Sequence, residues 1–518
     1  MHGRRPPPPE AARQLDWPSR RTALAVAVAS VLVGALLRFL FIGAKSMWLD
    51  EVYSLVFSSS PWPDFVRTMA RREANMVAYY LLLRPWLALG DGEAAVRSLS
   101  ALFGVATIPL LYALGARLFG RGAGALAAAL LAVHAFAVKY AQEARGYSLL
   151  MLVCVAAGLL LVRAVERPTG RAWAAYALVG SLAVYAHFYG VLVLAAQWLS
   201  LVPLLWRRQD SLPWRPVLTA ALLTGVLLSP LALFLLSGRL AGASYWMRFP
   251  SEAELDYFRY TLVGAGDWTP ARIFLSWVYG LAVVAAVVAA VRERARGRWP
   301  AARAPSPWSV TMAEPTSERL RGWRYWLLLS WVLVPIATTL GVSLVRPIFQ
   351  DRYLIGTVPA LVLLVGVALI SLRPRLRWPL LALVVATSLH GVADYYARPD
   401  KEEWRGATAY VAAAAREDDA LILYEPYVRA CYDYYRRRIP GVYPEIAYPS
   451  WLGSPGDTPR SALAAVAAHR RRVWVVSSHA DDRGQFIEDS LARHFATVRE
   501  RRFPGVRVLL FDRAAAAR

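Results

Sequence analysis

Side chains that can move protons or hold anions are concentrated in a few short stretches of this chain. Asp50 and Glu51 stand side by side in W-L-D-E-V-Y-S (48–54), which also carries Tyr53. Glu73 follows in R-R-E-A-N-M (71–76). Lys139, Gln142, Arg145 and Tyr147 share K-Y-A-Q-E-A-R-G-Y (139–147), and His187 and Tyr189 share Y-A-H-F-Y-G (185–190). Gln350, Asp351, Arg352 and Tyr353 lie in R-P-I-F-Q-D-R-Y-L (346–354). A carboxylate can take a proton from a hydroxyl. Two adjacent carboxylates repel, and desolvating either is costly, so the pair is expected to divide its tasks. Consecutive residues on a helix point about 100° apart; Asp50 is expected to face a substrate, with Glu51 orienting it or binding substrate hydroxyls. Arg145 and Arg352 carry planar donor forks suited to a phosphate, Lys139 adds a point charge, and Asp351 can pair with Arg352. One base and a cationic cradle are enough for a single displacement at a carbon that bears a phosphate leaving group. That chemistry needs neither a redox centre nor an activated water.

The elements that must position these groups cross a membrane. Of 518 residues, 57% are hydrophobic, and the apolar residues come in blocks of the roughly 20 residues that span a bilayer core. About eleven spans are predicted: 22–42, 98–115, 122–138, 148–162, 172–186, 188–206, 217–236, 273–291, 323–345, 353–372 and 378–392. The apolar run 78–90 is shorter and holds Arg84-Pro85, which suits an interfacial or re-entrant helix. The first outer loop, 43–97, then carries juxtamembrane helices. The fold expected is a polytopic α-helical membrane protein. Its parts are a basic, proline-rich cytoplasmic leader (1–21), a catalytic membrane domain (22–392) and an extracytoplasmic α/β domain (393–518).

Charge supports this threading. The net charge of +23 sits mostly in loops that lie on the inner side when the N-terminus is cytoplasmic, as the positive-inside rule requires. The basic excess therefore reports topology and does not call for nucleic acid. All the polar motifs above fall on the outer face. Arg38, one turn inside the first span, is expected to snorkel outward. In the tail, W-R-G-A-T-A-Y-V-A-A-A-A and Y-V-R-A-C-Y-D-Y-Y read as helices. A-L-I-L-Y, R-V-W-V-V-S-S and V-R-V-L-L-F read as strands. The tail has no glycine-rich phosphate loop. The histidines lack metal-ligand spacing, so no divalent metal or other cofactor is indicated. Cys154 and Cys431 fall in a span and in the tail and imply no disulfide.

These motifs resemble the polytopic GT-C glycosyltransferases, in the branch of protein O-mannosyltransferases and lipid A aminoarabinose transferases. The carrying residues are W-L-D-E-V-Y-S, R-E-A-N-M-V-A-Y-Y-L-L-L-R, A-V-R-S-L-S-A-L-F-G and Y-A-Q-E-A-R-G-Y-S-L. They continue in P-I-F-Q-D-R-Y-L-I-G-T-V-P-A and K-E-E-W-R-G-A. The resemblance implies a polyprenyl-phosphate sugar donor and inverting transfer on the outer face of a bacterial inner membrane. The acceptor is a glycan, lipid or protein, and Asp50 is the base. Glu73 stands where related enzymes have a second acid, in a context that lacks their E-x-K-P-P or H-P-P prolines. Tyr53, Gln142, Tyr147, His187, Tyr189, Gln350 and Tyr353 are expected in the substrate pocket. Two other classes are open on the residues alone. A flippase would place charges mid-span within inverted repeats, and a scaffold would leave the acid–arginine set without a task.

Overall fold

A computed structural model of the protein describes residues 19–205, 212–237, 249–295, 321–424, 426–447, 466, 468–478 and 482–513. The leader predicted for 1–21 lies almost wholly outside them. The described chain forms two compact units.

The larger unit takes residues 19–40, 60–90 and 95–396. The helices of the chain run α1 (Arg20–Phe39), α2 (Leu49–Ser59), α3 (Trp62–Arg71), α4 (Val77–Trp86), α5 (Glu93–Phe119), α6 (Arg121–Ala132), α7 (Ala135–Ala141) and α8 (Tyr147–Glu166). They continue as α9 (Gly170–Ala186), α10 (Gly190–Ser200), α11 (Val202–Leu205), α12 (Trp214–Leu236), α13 (Glu252–Leu262) and α14 (Thr269–Ala295). The last of the membrane helices are α15 (Arg321–Ser343), α16 (Val358–Ser371) and α17 (Pro374–Ala397). A 3-10 turn over Asp351–Thr357 leads into α16, and the two together are the most deeply buried span. Among the described residues eight helices are long and apolar enough to cross a membrane, and nine if the bent pair α6–α7 counts as one. The eleven expected from the sequence are therefore not all present as single long helices. α9 has 17 residues, and the next apolar run begins only at Gly190 and is divided at Leu201. The apolar run after Met76 forms α4 and a short 3-10 turn (Leu87–Leu89), too short to span.

The bend between α6 and α7 is 59°. Breaking a helix in apolar surroundings frees carbonyls that water cannot satisfy. Arg38, fully buried in the last turn of α1, meets that need. Its Nη1 donates to Ala132 O at 3.0 Å and to Gly34 O at 3.1 Å, and its Nη2 donates to Leu131 O at 3.1 Å. The expected outward snorkelling does not occur, because the carbonyls at the break are the nearer acceptors. A side chain at Gly104 would come within 2.9 Å of the Arg38 Nε, so glycine leaves room for the guanidinium. Gln142 performs the matching task at the end of α1. Its Nε2 donates to Leu37 O, Arg38 O and Leu40 O at 3.3, 3.1 and 2.7 Å, and its Oε1 accepts from Tyr395. Expected in the substrate pocket, Gln142 instead caps α1, whose carbonyl ends lie within reach of its amide.

The second unit takes residues 41–59, 91–94 and the described residues from 397 on. Its tail holds α18 (Trp404–Ala414), β1 (Ala420–Tyr424), α19 (Arg429–Arg436), β2 (Glu445–Ile446), β3 (Arg472–Ser477), α20 (Asp482–Ala492), β4 (Ala496–Phe503) and β5 (Val506–Asp512). The strands order as β2-β1-β3-β5-β4. β1 is parallel to β2 and β3, while β5 is antiparallel to β3 and β4. The core joins Ile422, Tyr424, Val473, Val475, Leu509 and Phe511 of the sheet to Ile487 and Leu491 of α20. The unit also includes α2 and the start of α5, although the sequence places both far from the tail.

Two tests follow. Removing the Arg38 guanidinium (Arg38→Leu) leaves the carbonyls at the α6–α7 break without donors, and the loss in stability is expected on the order of 3 kcal/mol. Thermal unfolding in detergent measures it, and unchanged stability would contradict the capping role. For topology, a cysteine-free variant carrying Ser59→Cys should be labelled from outside the cell, and one carrying Arg373→Cys only from the cytoplasm. Both positions are exposed, whereas neighbouring Ser58 is buried. The opposite labelling pattern would overturn the threading.

Candidate active site

In the membrane unit four loops converge. They are 72–76 before α4, 142–146 between α7 and α8, 187–189 between α9 and α10, and the 3-10 turn from Asp351. Asn75 ties two of them together, since its Oδ1 accepts from Phe188 N at 2.9 Å. Glu73 Oε1 accepts from Asn75 N at 3.2 Å, which anchors the half-buried Glu73 beside the His187 loop. Met76, in the left-handed region at φ 61°, turns the chain into α4 and offers its sulfur to Gly146 N at 3.5 Å. A side chain at Gly146 would meet Ala186 O at 2.5 Å, so only glycine lets these loops close up. Arg145 is held from both ends. Its carbonyl accepts from Ser100 at 3.1 Å, and its Nη1 donates to the Tyr80 hydroxyl at 3.2 Å.

His187 sits at the centre of an aromatic cage. Its ring centroid is 4.7 Å from Tyr353 and 5.7 Å from both Tyr147 and Tyr189. Tyr189 is 5.0 Å from Tyr353, and its hydroxyl donates to Ile348 O. The Arg145 guanidinium lies 6.0 Å over the Tyr147 ring and that of Arg352 5.6 Å over Tyr353, both at cation–π distance. Asp351 Oδ1 accepts from Arg352 N at 2.7 Å. Gln350 starts the turn, its carbonyl accepting from Tyr353 N at 3.1 Å. Lys139 is half-buried on α7, 5.7 Å over the Tyr140 ring.

Burial, with the Arg145 and Arg352 charges beside it, pushes the His187 pKa down to about 3. The ring is therefore neutral at physiological pH. Its Nδ1 accepts from Tyr189 N at 3.1 Å, so the proton resides on Nε2. That Nε2 is buried and has no hydrogen-bond partner among the described residues. Trp173 Nε1 and Tyr176 Oη are likewise buried without a partner among the described residues; the His187 donor differs in standing beside the Arg145 and Arg352 charges.

The acidic pair belongs to the other unit and lies in the first turn of α2, where a helix N-terminus favours carboxylates. Glu51 is fully buried and forms an ion pair with Lys401, Nζ to Oε2 3.1 Å. The same oxygen is 3.5 Å from Trp48 N. Asp50 is half-buried, and its carbonyl accepts from Ser54 at 3.0 Å. Tyr53 donates to Tyr427 O at 3.2 Å. The Cys431 thiol is pushed up by burial and then by Glu402, Asp50 and Glu51, so the acids share one apolar neighbourhood with α19. Among the described residues no group of three or more His, Cys, Asp or Glu side chains is placed to hold a metal ion.

Sequence reasoning missed Asn75, Tyr80 and Ser100, whose tasks lie in long-range bonds that local pattern does not reveal. It also gave Lys401 no task, although K-E-E-W-R-G-A had been singled out.

Comparison with known proteins adds two findings. Residues 74–234 match the family described as dolichyl-phosphate-mannose-protein mannosyltransferase, a segment that begins just after Glu73 and holds Arg145 and His187. The chain is similar in structure to ArnT from Cupriavidus metallidurans. For the apo state the TM-score is 0.58 at 14% identity, covering 94% of this chain and 98% of that one. For ArnT bound to undecaprenyl phosphate it is 0.55 at 14% identity, covering 95% and 98%. No curated protein matches the chain in sequence. The fold is thus of the GT-C type, with a small C-terminal sheet.

The depressed His187 value has a direction in pH. Its folded pKa lies below the unfolded value of about 6.5, so acid protonates the unfolded chain first. Stability is full above about pH 6.5 and falls as pH drops toward 3. Between pH 7 and pH 5 the wild type should lose on the order of 2 kcal/mol more than His187→Gln. Thermal unfolding of both proteins at the two pH values measures this, and parallel losses would contradict a neutral buried His187.

Proposed function

We propose that the chain is an integral-membrane glycosyltransferase that moves a sugar from a polyprenyl-phosphate donor to an acceptor hydroxyl. The site lies on the outer face of a bacterial inner membrane, with the N-terminus cytoplasmic and the tail outside. The sugar is a mannose-like hexose or a pentose. Transfer is a single displacement with inversion. The acceptor oxygen attacks the anomeric carbon, Asp50 takes the hydroxyl proton, and the bond to the phosphate oxygen breaks with its electrons leaving on the phosphate. Arg145 and Arg352, with Lys139 nearby on α7, balance the charge that develops there. The His187 Nε2–H donates to the same group or to a sugar hydroxyl. Tyr147, Tyr189 and Tyr353 wall the pocket. Glu51 orients Asp50, and Glu73 supports the His187 loop through Asn75.

The observation that carries this reading is the buried, unpartnered His187 Nε2 held among two arginines and three tyrosines. A cationic, aromatic recess suits a phosphate attached to a sugar. The match of 74–234 to the mannosyltransferase family and the ArnT-like fold agree with it. So does the undecaprenyl phosphate bound by ArnT in one of its structures.

Under this reading Asp50→Asn abolishes transfer, with at least about a thousandfold loss of kcat, yet still binds polyprenyl phosphate. Arg145→Gln and Arg352→Gln weaken polyprenyl-phosphate binding by about tenfold or more each. Transfer assays and phosphate-lipid titrations of purified protein distinguish these effects. Wild-type transfer by a folded Asp50→Asn protein would remove Asp50 from the base position.

A further inference from the structure

The helix that carries the acids is fastened by residues at the start of the tail, all within the second unit. Arg405 reaches the segment entering α2. Its Nη2 donates to Gly43 O at 3.2 Å and Nη1 to Ala44 O at 3.2 Å, while its backbone N donates to Ser46 Oγ at 3.1 Å. The same Nη2 pairs with Glu93 at 2.8 Å. The Tyr435 hydroxyl of α19 accepts from Met47 N at 2.6 Å and donates to Glu93 at 3.0 Å. Lys45 pairs with Asp400 at 2.5 Å. The contact nearest the acids is also the driest, since the Lys401 and Glu51 side chains are 4% and 0% exposed.

A dry ion pair adds little net stability, but losing one partner leaves a charge that the interior cannot tolerate. Without Lys401, Glu51 loses a charged partner in dry surroundings, and its readjustment shifts the first turn of α2. Asp50 is the preceding residue of that turn. An error of about 1 Å in a reacting group can lower a rate by about a hundredfold.

We infer that the C-terminal α/β unit serves the reaction by holding the Asp50 helix, with Lys401 as a positioning residue that acts through Glu51. This inference rests on the reading of Asp50 as the base. It gives the tail a task in the transfer step that donor binding does not require.

The test compares Lys401→Met, Lys401→Arg and the double variant Lys401→Met/Glu51→Gln in the full-length protein, below the melting temperature of each. Lys401→Met should lower kcat about 10- to 100-fold while donor KM changes by less than about twofold. Lys401→Arg should keep most of kcat, and the neutral double variant should regain about tenfold or more over Lys401→Met. Hydrogen exchange supplies a readout that needs no activity: amides of α2 should exchange faster in Lys401→Met and return to the wild-type rate in Lys401→Arg. Wild-type kcat in Lys401→Met, a donor KM that rises in step with the fall in kcat, or no gain in the double variant would overturn the inference. Unchanged α2 exchange would do the same. Wild type and Asp50→Asn run in parallel separate the two readings. Absence of transfer by the wild type defeats the proposed function, and the exchange result still decides whether Lys401 holds α2.

Discussion

A polar group enclosed by apolar helices must find a partner inside the protein, and much of this architecture follows from that constraint. The break between α6 and α7 is permitted because Arg38 caps the carbonyls it exposes. The end of α1 is permitted because Gln142 covers Leu37, Arg38 and Leu40. These two side chains fix where α7 ends and where the 142–146 loop begins, and so where Arg145 stands. The same rule operates in the second unit, where the fully buried Glu51 forms an ion pair with Lys401. His187 Nε2 is one of several buried polar atoms with no partner among the described residues, and it stands beside two guanidiniums.

Much of this was legible in the sequence. Long apolar runs identified most spans, because length and hydropathy are local properties. The run containing Arg84-Pro85 was read as non-spanning for the same reason. Helices and strands of the tail such as α18, β1, α19, β3 and β5 were visible as periodic or β-branched runs. β4 was missed because A-T-V-R-E-R-R-F is charged along its length. It lies at one end of the strand order with most of its side chains exposed, where apolar alternation is not required. The expected eleven spans are not all matched by single long helices among the described residues where runs are interrupted: hydropathy does not register the turn at His187–Tyr189 or the division at Leu201.

The site residues divide by the same logic. Polar residues clustered at predicted helix ends drew attention to Arg145, His187, Tyr353 and Arg352, and the structure brings these four together. The tasks of Arg38 and Gln142 were misjudged because each depends on a partner about a hundred residues away in sequence. Asn75 and Lys401 escaped for the same reason. Nothing in the tail's composition indicates that it shares a compact unit with α2, because that association rests on single contacts such as those of Arg405 and Tyr435.

The proposed chemistry is a departing phosphate steadied by fixed cations and a neutral histidine donor, with a carboxylate in a helix first turn as the base. The most direct measurement supplies purified protein with synthetic polyprenyl-phosphate sugars and an acceptor extract, and determines the anomeric configuration of the new glycoside alongside the polyprenyl phosphate released. The account predicts one inverted glycosidic bond per polyprenyl phosphate set free. Retention of configuration, or donor consumption without a glycosidic product, would contradict it.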